Sequence, residues 1–258
     1  LKGDTMSYKS TYSVNGREEY LDYLFSASYE DQGLYLDGNN RPVGVDNTQG
    51  DLMDSRAYDL LGKVGYWLDD DQRIQLSASY YQLKGKNDYL SVTGDRDRGI
   101  PTTSIKGTPE GDAPHNSVWN TAVTYDNYNL AGMQLTALAY YQHYEALFGS
   151  ALSGSFQDPS IAPVGTLYDQ SRAVTTKYGT KMAWTKADIW DDYLKVTLGF
   201  DTLFDQSKQD LWGTGRTYVP EIKYTDLSPF LQLEVTPVES LKLSGGVRYE
   251  YALSLIHI

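Results

Sequence analysis

Apolar and polar residues alternate along most of this chain. In the segment 241–251, LKLSGGVRYEY, residues Leu241, Leu243, Val247, Tyr249 and Tyr251 share one parity, while Lys242, Ser244, Arg248 and Glu250 take the other. Side chains point to opposite faces along a strand, so this segment has one greasy face and one wet, charged face. The same pattern recurs with almost no helical periodicity. It predicts a wall with lipid on one side and water on the other.

The strands come in pairs. Segments 6–14 and 20–29 flank Asn15-Gly16, a strong hairpin signal. Segments 56–68 and 73–83 join around Asp69-Asp70-Asp71, and 118–125 and 133–144 join across 127–132. Segments 174–185 and 193–204 turn at 188–192, and 224–235 and 241–251 turn at 236–239. Pro229, inside a strand pattern, predicts a bulge or a strand start. Between pairs the connections are long and rich in Gly, Pro, Asp, Asn, Ser and Thr, at about 31–54, 84–115, 147–172 and 205–223. Short turns alternating with long loops mark an outer-membrane barrel, with the turns periplasmic and the loops extracellular. Aromatics near strand ends predict two interfacial girdles, with Tyr20, Tyr66, Trp67, Trp184, Trp190 and Tyr193 by the turns and Tyr29, Tyr80, Tyr141, Phe204 and Tyr249 toward the loops. The fold expected is all-β, an antiparallel transmembrane barrel represented by about ten strands.

Composition sharpens this picture. The formal net charge of -12 argues against a nucleic-acid partner. With no cysteine there is neither a disulfide framework nor a thiolate metal site. The negative mean hydropathy does not oppose a membrane wall, because only every second residue faces lipid. The 23 tyrosines suit strands and membrane interfaces. The chain begins at Leu1 without a signal peptide, so the start of the natural protein is expected to lie upstream. Residues 253–258, LSLIHI, resemble the translated read-through of a sequencing-library adaptor, which puts the expected barrel domain at 1–252.

Three segments carry a family resemblance: Val45-Asp46-Asn47-Thr48-Gln49; LDDDQRIQL at 68–76, followed by Tyr80-Tyr81; and Pro229-Phe230-Leu231-Gln232, followed by LKLSGGVRY at 241–249. Together they resemble the barrel of TonB-dependent siderophore receptors of Gram-negative outer membranes, on the aerobactin-like branch. The resemblance implies a 22-stranded barrel plugged by an N-terminal domain, with a TonB-contacting segment ahead of the plug. About ten strands, no plug and no such segment are read in these residues. It further implies a transporter rather than an enzyme, located in the outer membrane and contacting its lipid. TonB would engage the absent segment, and iron would enter only as the siderophore chelate, with no cofactor of the protein's own.

No catalytic constellation appears, since Ser, His and Asp are present without a nucleophile elbow. Asp69-Asp70-Asp71 lacks the spaced ligands and glycine of a calcium loop and reads as a solvated turn. No protein metal ligand is expected. A ferric hydroxamate-citrate chelate is oxygen-rich and anionic, so its receptor needs cations and aromatics at the extracellular mouth. The loop and lumen-side candidates are Tyr81, Lys84, Lys86, Arg96, Arg98, Tyr144, Phe148, Arg172, Trp212, Arg216 and Tyr218. Other readings are a receptor of the same architecture for haem, cobalamin or a glycan, a passive porin or adhesin barrel, and a soluble binding sandwich.

Overall fold

The computed structural model describes residues 3–48, 52–191 and 193–256. Of the positions singled out above, Leu1, Gln49, Asp192, His257 and Ile258 lie outside the described residues.

The strands are β1 Tyr8–Glu18, β2 Leu21–Gln32, β3 Ser55–Trp67, β4 Gln72–Gly85, β5 Tyr89–Val92, β6 Thr103–Lys106, β7 His115–Leu130, β8 Met133–Leu147, β9 Ser171–Ile189, β10 Leu194–Leu211, β11 Thr217–Val238, β12 Leu241–Arg248 and β13 Tyr251–Ile256. One antiparallel sheet runs β1-β2-β3-β4-β7-β8-β9-β10-β11-β12, and β13 also pairs with β11. Strands β12 and β13 form one stave. Phe230 opposes Arg248 and Leu227 opposes Tyr251, so the register continues unshifted across the gap. The break falls opposite Pro229, whose carbonyl accepts from the Tyr249 N–H at 3.0 Å but which has no N–H to return. Proline here interrupts a ladder rather than starting a strand or bulging it. Among the described residues the wall therefore has ten staves. Residues Leu253 to Ile256 continue the last one, against Thr225, Tyr224, Lys223 and Ile222.

The first turn differs from the sequence reading. Asn15 pairs with Leu24 and Gly16 with Tyr23, so the strand runs through the Asn-Gly pair and turns at Glu19-Tyr20, with Glu19 at φ 38°. The glycine serves packing instead. A Cβ on Gly16 would stand 2.6 Å from the Tyr23 hydroxyl, so the tyrosine occupies the space a side chain would need. The segment 84–115, read as a plain loop, holds the β5–β6 hairpin.

Parity is kept from strand to strand. The row Val64, Leu76, Val123, Ala139, Thr180 lies on the outer face, and neighbouring rows add Phe25, Leu60, Tyr80, Trp119 and Leu198. Leu76 and Leu198 are 54% exposed and Val247 71%, an apolar expanse that water would not tolerate but lipid covers. Aromatic neighbours band this face toward the loops. Tyr29 and Tyr58 lie 5.1 Å apart, Tyr80 and Trp119 4.9 Å, and Tyr178 and Phe204 5.1 Å. Trp67 is not part of a girdle. Its parity turns it inward, where it stacks on Tyr128 at 5.9 Å beneath Arg17 and Arg73.

The inner face is polar and ion-paired. Asp22 receives two bonds from Arg73, Lys177 meets Asp205 at 3.2 Å, and Asp201 meets Arg248 at 2.8 Å. The last pair gives two resemblance segments a physical role. Phe230 fills the space beside Gly199 and lies 5.0 Å beneath the Arg248 guanidinium that reaches Asp201. The buried apolar side chains, including Leu34, Val45, Met53, Tyr89, Leu147, Phe156 and Leu211, all lie at the loop ends of the staves or in the loops themselves. The molecule's packed core is thus its crown of loops, not its wall.

Candidate functional site

The crown has two halves, each held by side chains that satisfy loop backbone. In the first half, Leu34, Val45, Met53 and Tyr89 pack together. Ser104 Oγ accepts the Val45 N–H at 2.9 Å and donates to the Val43 carbonyl at 2.7 Å. Asn47 donates to the Tyr89 carbonyl and accepts from the Ser91 N–H, which ties the first long loop to the β5–β6 hairpin. Tyr89 Oη donates to Asp4 Oδ2 at 2.8 Å, and Lys106 reaches the same oxygen at 3.3 Å. These two donors lower the Asp4 carboxyl below its ordinary range. Burial, then the Asp4 carboxylate, pushes the Tyr89 phenol up to about 12. Asp54 stands at φ 52° and accepts the Asp88 N–H, and burial raises its carboxyl.

In the second half, Asp169 and Gln170 are the keystones, 2% and 4% exposed. Asp169 accepts from the Gly213 N–H at 2.8 Å and the Thr214 hydroxyl at 2.6 Å, with Arg216 Nη2 3.7 Å away. Gln170 donates to the Asp112 and Phe148 carbonyls and accepts the Asp112 N–H. Trp212 Nε1 donates to Asp112 Oδ2 at 2.7 Å. Arg216 also bonds the Phe156 carbonyl and faces Asp158 at 3.4 Å. The Ser160 hydroxyl and backbone N–H, and then Arg216, hold the Asp158 carboxyl low. Phe156 meets Tyr218 edge-on at 5.3 Å.

Between the halves, a recess of about 150 Å³ opens among Leu83, Pro114, Asn116, Tyr144, Ala146 and Phe148. Lower on the inner face, Tyr81, Val118 and Tyr144 stand in one row across three strands. Below them a concavity of about 370 Å³ is bordered by Lys63, Ser77, Asn120, Tyr140, Gln142 and Lys177. Gln142 donates to Asn120 at 2.7 Å and Asn120 to Ser79 at 3.2 Å, a hydrogen-bond ladder across three strands. The inner surface thus offers aromatic rings above and amide, hydroxyl and ammonium donors below, chemistry suited to an oxygen-rich ligand.

The structure brings Tyr81, Tyr144 and Phe148 together on the inner side of the mouth. It gathers Trp212, Arg216 and Tyr218 in the second half of the crown, with Phe156 between the last two. Other candidates sit elsewhere. Lys84 shares the outer parity of Tyr80 and Gln82, and Arg172 that of Val174 and Tyr178, so both stand on the outer face at its loop end rather than over the lumen. There Arg172 pairs with Asp210 at 2.7 Å, its guanidinium 4.6 Å from the Trp212 ring. Lys86 is engaged by Asp31 and the Gln32 carbonyl. Arg96 and Arg98 lie at the tip of the β5–β6 hairpin, where Arg98 pairs with Asp95 at 3.3 Å. Sequence reasoning missed Asp112, Asp169 and Gln170. Their partners are up to 100 residues distant, and no local pattern announces them.

No family model matches the chain. The chain is similar to the ferric aerobactin receptors of Escherichia coli and Klebsiella pneumoniae, at 25% identity over 93% of its length. The rhizobactin receptor of Rhizobium meliloti is similar at the same identity and coverage. The chain spans about a third of the length of these relatives, 34 to 35%. Among solved structures it resembles the copper transporter OprC (TM-score 0.65, 16% identity, 97% of this chain and 36% of that one). It also resembles the FrpB iron transporter of Neisseria meningitidis (TM-score 0.64, 17% identity, 98% and 42%). A ferric enterobactin receptor variant of Pseudomonas aeruginosa in complex with enterobactin matches at TM-score 0.60 and 13% identity, with 98% and 38% coverage. These structures are named for different cargoes, so likeness of fold alone does not identify a cargo. The chain is a section of a Gram-negative outer-membrane β-barrel wall, similar in sequence and fold to TonB-dependent siderophore receptors.

Proposed function

We propose that this section belongs to a receptor that takes up a ferric siderophore across the outer membrane by TonB-coupled transport, with a hydroxamate-citrate chelate of the aerobactin type as cargo. The observation that carries this reading is the similarity to the ferric aerobactin receptors along nearly the whole chain, crown included. The inner surface supports it. Tyr81, Tyr144 and Phe148 offer rings at the mouth, and Lys63, Asn120, Gln142 and Lys177 offer donors below, to a ligand that presents many oxygens. Of the cationic candidates, Arg172 lies against Trp212 at the outer rim, while Arg216, held by the Phe156 carbonyl and Asp158, orders the second half of the crown. In this reading iron arrives already chelated, the protein supplies capture and passage rather than catalysis, and TonB acts through a segment outside these 258 residues. In this reading residues 1–252 belong to the receptor's barrel domain.

The test is growth of an iron-limited host that lacks its own siderophore receptors and carries the full-length gene, supplied with one siderophore at a time. Ferric aerobactin should restore growth, and only when TonB is intact. Growth restored by a catecholate or by haem but not by aerobactin would overturn the cargo. Growth independent of TonB would overturn the mechanism.

A further inference from the structure

Three inner rows climb toward the mouth across β4, β7 and β8. The lowest is Ser79, Asn120 and Gln142, the next Tyr81, Val118 and Tyr144, and the uppermost Leu83, Asn116 and Ala146. The two asparagines differ in their neighbours. Asn120 stands between a hydroxyl and an amide and is hydrogen-bonded to both. Asn116 stands between two apolar side chains that can neither give nor take a hydrogen bond. Among the described residues the Asn116 amide has no partner, and neither has the Tyr144 hydroxyl. An asparagine amide carries donor hydrogens and an acceptor oxygen, and here all of them are left for what enters the mouth.

Both residues line the recess of about 150 Å³ between the halves of the crown, together with Leu83, Pro114, Ala146 and Phe148. Its walls are held in place by backbone bonds. The Gly85 N–H donates to the Pro114 carbonyl at 2.9 Å, and the Phe148 N–H to the Ser171 carbonyl at 3.0 Å. Gln170 holds the Phe148 carbonyl at 2.9 Å. The Gly149 N–H reaches the Thr48 carbonyl at 2.7 Å, an approach so close that a Cβ on Gly149 would fall on the Asn47 carbonyl. Among the described residues no Lys, Arg, Asp or Glu lines the recess, and His115 at its edge is turned to Glu145 and the Ala113 carbonyl. A cavity of this volume takes a group about the size of benzene. An entire iron chelate is too large for it, and a carboxylate would enter with no cation to meet it. A short aliphatic chain bearing one carboxamide fits instead. The apolar walls suit its carbons, and the Asn116 amide can both give and take a hydrogen bond with another amide.

We propose that Asn116, Tyr144, Leu83 and Ala146 form a subsite for an uncharged carboxamide on a short aliphatic chain. Its identification with part of the cargo rests on the function proposed above. A citrate carboxyl joined to the amine of a hydroxamate arm leaves such a carboxamide, with the aliphatic spacer of the arm beside it. The subsite selects the limb that links the iron-binding groups rather than the iron or its charge.

The test uses the full-length receptor in detergent, with N-ethylacetamide as the probe and butanoate as a charged counterpart of similar size, and reads binding by saturation-transfer NMR. Wild type should give an N-ethylacetamide signal about fivefold above that of Asn116→Leu, which keeps the volume but removes the amide. Ala146→Phe, which fills the recess, should lose the signal to a similar degree. Butanoate should give little signal with any of the three, and ferric aerobactin should displace N-ethylacetamide from wild type. Heat-modifiability confirms assembly of each variant, and Ala146→Val replaces Ala146→Phe if the latter does not assemble. Equal N-ethylacetamide signals from wild type and both variants would overturn the subsite. So would no signal from wild type, or a butanoate signal as strong as that of the amide. An amide signal that depends on Asn116 and Ala146 but survives saturating ferric aerobactin would uphold the subsite and overturn the aerobactin-type cargo alone.

Discussion

The wall and the crown face the same problem, a backbone whose polar groups must all be satisfied, and solve it differently. In the wall each strand is satisfied by its neighbours, and the side chains are left to choose between lipid and water. In the crown the backbone is satisfied by particular side chains. Ser104 serves Val43 and Val45, Asn47 serves Tyr89 and Ser91, Gln170 serves Asp112 and Phe148, and Asp169 serves Gly213. A wall residue can therefore be exchanged for any other that suits its solvent. A crown keystone cannot be exchanged without orphaning a buried group. This difference suits a barrel in which the frame is generic and the loops are individual.

The largest effect should come from placing a charge on the lipid side of the wall. Val247→Arg in the full-length receptor is expected to cost about 2–4 kcal/mol relative to Ser244→Arg, whose side chain faces the lumen. Urea unfolding in lipid together with heat-modifiability would measure the difference, and equal behaviour would break the face assignment. In the crown, Asp169→Ala removes the acceptor for Gly213 and Thr214 and should cost about 1–3 kcal/mol locally. Hydrogen exchange should quicken in 148–170 and 212–216 while β2 and β3 stay protected. Uniform quickening would mean that wall and crown open as one unit.

The smallest effects are those of pH, and they should separate the two halves of the crown. Tyr89 has its phenol raised from 10.0 to about 12, so its neutral, hydrogen-bonded form is favoured in the folded crown. That contribution is complete below pH 10 and is lost as pH climbs toward 12. Asp158 has its carboxyl lowered from 3.8, so its contribution is present above that value and is lost as pH falls through the folded-state value. The first half should thus loosen in alkali through Tyr89 and lose the Asp4 contribution in acid, while the second loosens in acid alone. Tyr89→Phe should abolish the alkaline step and weaken the first half's acid response, whereas Asp158→Asn should abolish only the second half's acid step, as read by protease susceptibility of each loop.

Physical range explains what the sequence discloses. The staves, four of the five short turns and the outer face of Leu243 and Val247 follow from a period of two, which is local. The first turn was misplaced because Asn15-Gly16 has hairpin chemistry, while the glycine was needed to admit Tyr23 across the sheet. Trp67 was assigned to a girdle by its nearness to a turn, although its parity already turned it inward. Counting parity through to Lys84 and Arg172 would likewise have placed both outside. Asp169 and Gln170 were not legible at all, because burial in a loop crown is a property of distant segments meeting. The resemblance segments at 229–232 and 241–249 were visible, yet the role of Phe230 needed Gly199, Asp201 and Arg248 placed around it.

The central claim is that one parity of these strands faces lipid and the other water. These 258 residues hold no cysteine, so once any cysteine elsewhere in the full-length protein is replaced, single-cysteine variants report cleanly. The decisive measurement is spin labelling along β4 of the full-length receptor in membranes, at Leu76→Cys, Ser77→Cys, Ala78→Cys, Ser79→Cys and Tyr80→Cys. The account predicts strict alternation, with labels at 76, 78 and 80 reached by oxygen dissolved in lipid and labels at 77 and 79 reached by a water-soluble relaxant. Accessibility to the aqueous relaxant at all five positions, or alternation of the opposite phase, would contradict it.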